Sequence, residues 1–94
     1  MQLLSTVEDS FQIEGRGRVI TFWMPPNAPV VRRKEAIQLK RSDGILIDTQ
    51  VEDLEILKRG RIDTDPRECA AFQLSESIIQ SDVPRGTEIW LFNE

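Results

Sequence analysis

From Val7 to Trp23 the chain reads VEDSFQIEGRGRVITFW, two alternating segments hinged on Gly15-Arg16-Gly17. Val7, Phe11 and Ile13 share one parity, the period of two that marks a strand. After the turn, Val19, Thr21 and Trp23 occupy one parity, and Ile20, Phe22 and Met24 the other. Gly15 and Gly17 supply the positive φ angles that a tight or bulged hairpin turn demands. This hairpin commits the chain to an all-β fold, because the rest of the sequence keeps the same period.

Met24-Pro25-Pro26 and Pro29 end the strand, since proline removes ladder donors. A second hairpin runs from Lys34 to Ile56 and turns at Ser42-Asp43-Gly44. Its register sets Leu39 opposite Ile47, Ile37 opposite Thr49, Lys34 opposite Glu52 and Arg33 opposite Asp53. The apolar parity is odd through Val51 and even at Leu54 and Ile56, which predicts a β-bulge near Glu52-Asp53. A polar loop with Gly60 and Pro66 leads to Cys69–Leu74, a strand of small apolar residues suited to a crowded interior. One helical turn at most is expected in Ser75–Gly86, and Thr87–Phe92 closes the chain as a strand. The expectation is one domain, residues 1–94, built as a small antiparallel barrel of about six or seven strands.

Composition narrows the chemistry. Histidine and tyrosine are absent and there is a single cysteine. No Ser-His-Asp or Cys-His nucleophile system can be assembled, and a typical zinc site lacks its ligands. A lone thiol forms no internal disulfide, which fits a reducing compartment. Met1–Thr6 lacks the basic start of a signal peptide, and no apolar run approaches a membrane span. A cytoplasmic location is therefore expected. The net charge of −4 is divided unevenly, +2 over residues 1–47 and −6 over residues 48–94. That balance speaks against a strong non-specific nucleic-acid binder while leaving room for a small basic face.

Glu8-Asp9-Ser10-Phe11, then Ile13, Gly15-Arg16-Gly17 and Val19-Ile20-Thr21, resemble the opening of domain 2 of the translational GTPases, elongation factor Tu in particular. Asp82-Val83-Pro84-Arg85-Gly86 is similar to that family's turn before its last strand. The resemblance covers residues 7–92 and implies a stand-alone homologue with a barrel of the translation-protein type. It also implies that Ile13 and Val19 hold positions of a pocket for the terminal adenosine of aminoacyl-tRNA. Gly15, Gly17, Gly44, Pro84, Arg85 and Gly86 are then turn-forming residues. Two departures stand out: Phe22-Trp23 replaces a Gly-Arg pair, and Pro66-Arg67-Glu68 replaces an Ala-Gly turn. The chain contains no P-loop and no guanine-recognition motif, so no nucleotide is expected to bind.

Glu8-Asp9 and Glu52-Asp53 are neighbours in sequence, so their side chains diverge on a strand and form no acid/base pair. Asp63 and Asp65 resemble the start of a calcium loop, but Glu68 and Leu74 occupy its glycine and bidentate positions. Cys69 reads as a buried, inert thiol. No catalytic residue, metal or cofactor is expected. Arg16, Arg18, Arg32, Arg33 and Lys34, extended by Lys40 and Arg41, are candidates for nucleic-acid contact; a solvated, ion-paired face explains them as well. Phe22, Trp23 and Met24 with Trp90 and Phe92 are candidates for an apolar protein-contact patch. Burial of that patch by the N-terminal segment or the Pro-rich loop is the competing reading.

The function expected is a non-catalytic binding module acting on another protein or on itself. The rival readings are an RNA- or ribosome-binding translation accessory protein and a mimic that occupies the translation factor's partners. No membrane partner is expected. The start at Met1 and the close at Asn93-Glu94 suggest a whole protein rather than an excised piece.

Overall fold

The computed structural model describes residues 1–15, 17–25, 28–57 and 68–92. Arg16, Pro26, Asn27, residues 58–67 with Gly60, Asp63, Asp65 and Pro66, and Asn93-Glu94 lie outside them.

Eight strands are found among the described residues: β1 (Gln2–Thr6), β2 (Asp9–Ile13), β3 (Gly17–Met24), β4 (Ala36–Lys40), β5 (Leu46–Gln50), β6 (Asp53–Leu57), β7 (Glu68–Leu74) and β8 (Glu88–Leu91). They form two antiparallel four-stranded sheets, ordered β1-β8-β4-β5 and β2-β3-β7-β6. The only described helical turn is 3₁₀, over Gln80–Asp82.

The strand number corrects the expected six or seven. The addition is β1, which pairs with β8 and carries a register shift between Leu3 and Ser5. Leu4, the extra residue, turns into the core while Leu3 stays exposed. A bulge of this kind erases alternation, so the segment carries no strand signature.

The chain passes from one sheet to the other four times, and backbone hydrogen bonds to both sheets mark two of these crossings, β1–β2 and β5–β6. At the first, the Val7 N–H donates to Thr87 O at 2.8 Å and the Glu8 N–H to Thr21 O at 2.8 Å. At the second, the Val51 N–H donates to Glu35 O at 2.9 Å and the Glu52 N–H to Gln73 O at 2.8 Å. The parity change near Glu52-Asp53 is therefore a crossing between sheets rather than a bulge within one strand. The remaining register is as expected: Ile37 lies opposite Thr49 and Leu39 opposite Ile47. Lys34 pairs with Glu52, and Arg33 with Asp53 at 3.6 Å.

The core lies between the sheets. Ile20, Phe22, Phe72 and Leu74 meet Ile37, Leu39, Ile89 and Leu91, with Val7, Val51 and Val83 at the corners. The Phe22 and Phe72 rings pack edge to face with centroids 4.7 Å apart. Phe22 is 0% exposed, so it is a core residue and not part of a contact patch. Both parities of β3 are apolar, and the sequence alone cannot say which one faces inward.

Candidate binding face on the outer side of the second sheet

The pairing of β2, β3, β7 and β6 sets the outward side chains in rows. Asp9 lies beside Thr21, Thr21 beside Ala71, and Ala71 beside Glu55. The next row runs Phe11, Val19, Gln73, Asp53. These rows enclose a hollow of about 380 Å³. Phe11, Ile13, Val19 and Thr21 line it from the hairpin, and Ala71 and Gln73 from β7. Asp53, Leu54 and Glu55 of β6 complete the rim.

The floor is low because Thr21 and Ala71 are small. Phe11 and Ile13 rise on one side and remain 41% and 36% exposed. Ile13 and Val19, the positions that the resemblance assigns to an adenosine pocket, do share this hollow. The carboxylates were not legible as part of it. Their odd parity opposite inward-facing Leu54 marks them as outward, but only the non-local pairing of β6 with β7 brings them to this face.

The basic candidates scatter. Arg18 is 6% exposed and its Nε donates to Ile78 O at 3.4 Å, so its guanidinium is not a surface phosphate ligand. Arg33 and Lys34 serve the Asp53 and Glu52 carboxylates, while the Arg32 side chain is exposed and its backbone N–H donates to Glu35 Oε1 at 3.0 Å. Arg41 reaches Asp43 at 2.7 Å. Arg16 lies outside the described residues, and Lys40 is exposed on β4. Lys34 and, secondarily, Gln50 donate to Glu52 and hold its carboxyl below the usual glutamate range.

The aromatic candidates also separate. Trp23 is half-buried on the outer side of β3, and Ser5 Oγ donates to its backbone carbonyl at 2.8 Å. Met24 packs partly against the core. Trp90 stands on β8 of the other sheet beside Leu3, its Nε1 donating to Glu88 at 2.9 Å, and Phe92 follows it, exposed. The patch expected from Phe22, Trp23, Met24, Trp90 and Phe92 is thus divided between the core and strands of two sheets.

Gly15, Gly17, Gly44 and Gly86 all have positive φ. Pro84 O accepts from the Thr87 N–H and hydroxyl, Arg85 reaches Glu8 at 3.5 Å, and the Gly86 N–H donates to Val7 O. Cys69 lies half-buried opposite Trp23. Among the described residues, no group of three or more Cys, Asp or Glu is placed to hold a metal ion, and no helix is long and apolar enough to cross a membrane.

Comparison with protein-family models, with curated proteins and with solved structures finds no match. The hollow joins concavity, exposed apolar surface and polar groups at one place, the combination that marks a binding site.

Proposed function

We propose that the chain is a non-catalytic binding module that acts by contact with another protein through the outer face of β2-β3-β7-β6. The observation that carries this reading is the hollow, with Phe11 and Ile13 exposed above a floor of Thr21, Val19 and Ala71. Exposed apolar surface costs solubility and is retained where a partner covers it. The repeated sheet crossings and the Asp82–Gly86 turn ahead of β8 support a barrel of the elongation-factor domain 2 type. Among the described basic residues, Lys34 and Arg41 are paired with carboxylates and Arg18 is buried, which favours a protein partner over nucleic acid.

One observation favours the RNA reading: Ile13 and Val19 line the same hollow, as the adenosine pocket of the resembled family requires. A test separates the two. The tagged chain and a Thr21→Trp variant, which fills the hollow, are purified from cells with and without ribonuclease. A protein that co-purifies with the parent, resists ribonuclease and is lost from the variant meets the expectation. Recovery of RNA instead, or equal recovery by both forms, contradicts it.

A further inference from the structure

We infer that the hollow seats a lysine or arginine side chain presented by a protein partner. The inference rests on the reading of the hollow as the binding site and names what fills it.

Charge carries the argument. Asp53 and Glu55 stand on the rim of the hollow, and Asp9 lies beyond Thr21 at the far end of the same row as Glu55. No described Lys or Arg points outward from these four strands, because Arg18 is turned into the protein. Among the described residues, Arg33 reaches Asp53 at 3.6 Å from another loop with its side chain 71% exposed. That contact is loose and solvent-screened, so the described residues leave the acidic rim largely uncompensated. Glu55 makes no ion pair with a described residue.

Shape and chemistry then select the occupant. Lysine and arginine join an apolar stem to a charged head, and they bury the stem while the head meets polar groups. The hollow offers the matching order, with an apolar floor between Phe11 and Ala71 and carboxylates at its margin. Its volume of about 380 Å³ is at the low end for ligand sites and suits one or two side chains. A nucleic acid would bring phosphates into the field of the Asp53 and Glu55 carboxylates, where they are repelled. An acidic segment is excluded on the same ground.

The test uses a phage-displayed library of random nonapeptides, selected on the whole chain and depleted on Thr21→Trp. Clones sensitive to that variant are expected to carry Lys or Arg beside an apolar residue. A peptide made from them should bind roughly 5- to 10-fold more weakly to the Asp53→Asn, Glu55→Gln double variant, whose side chains keep their shape. Its affinity should also fall with rising salt. Sensitive clones without basic residues, or undiminished binding to the double variant, overturn the cationic occupant and leave the hollow as a site. Displacement of the peptide by oligoadenylate RNA assigns the hollow to nucleic acid and overturns the inference as well. If no clone is sensitive to Thr21→Trp, the hollow is not a binding site and both readings fall.

Discussion

Gly17→Ala tests the hairpin that frames the hollow. Gly17 has φ +88°, and a Cβ built there would lie 3.0 Å from Glu76 Cγ, 3.1 Å from Leu74 O and 3.4 Å from Glu76 N. An L-residue in this backbone region costs about 1–2 kcal/mol. The Glu76 side chain can swing away, but Leu74 O is backbone of β7, held opposite Arg18 by the ladder. Relieving the contact means shifting one strand against another, which adds roughly 1–2 kcal/mol. The total is about 2–4 kcal/mol, a large fraction of the ~5–14 kcal/mol expected for a domain of this size. Gly15 is the internal control: φ is +81° but nothing lies within 4 Å of its built Cβ. Gly15→Ala should therefore cost only the backbone part, about 1–2 kcal/mol. In a melt followed by tryptophan fluorescence, Gly17→Ala is expected to lower Tm by ~10–25 °C and Gly15→Ala by about half as much. Equal losses for the two would refute the close approach of β3 and β7 at this turn.

Three further outcomes are expected. Phe22→Ala should destabilise the fold by about 3–5 kcal/mol in urea, as a core cavity does; a loss under ~1 kcal/mol would return Phe22 to the surface. Thr21→Arg should be more stable than Thr21→Glu by about 0.5–1 kcal/mol, because Asp9 lies directly across the ladder and Glu55 two strands away; the reverse order would remove the acidic field from the hollow. Glu52 has its carboxyl lowered by Lys34 and Gln50, so its contribution is complete above the ordinary value of 4.5 and is lost as pH falls through the folded value. The stability gap between the parent and Glu52→Gln should accordingly be level at neutral pH and shrink below 4.5 in acid titrations; a gap that is unchanged down the acid range would contradict the pairing.

Local elements were legible where period and turn length act together. The β4–β5 register follows from alternation about Ser42-Asp43-Gly44, and it brings Lys34 to Glu52 and Arg33 to Asp53. The parity change at Glu52-Asp53 was visible too, but a bulge and a crossing between sheets produce the same shift in sequence. β1 was hidden by its own bulge, since Leu3 and Leu4 are adjacent and face opposite environments. Half of the candidate site was readable: Ile13 and Val19 belong to a hairpin closed by its own glycines. The acidic half comes from β6, which reaches this sheet only through β7, and no local rule reports that pairing. Arg18 misled for a related reason, because a charged residue at an inward position of a strand looks like any other surface arginine until the sheet is assembled.

The central claim is that the outer face of β2-β3-β7-β6 meets a protein partner, and photo-crosslinking from that face tests it most directly. A photoreactive phenylalanine analogue is placed at Phe11, beside the hollow, or at Phe92, beyond β8 of the other sheet. Irradiation in living cells should give a discrete protein adduct from position 11 that survives ribonuclease and disappears when Thr21→Trp is added. Adducts from position 92 alone, or nuclease-sensitive adducts from position 11, would contradict the account.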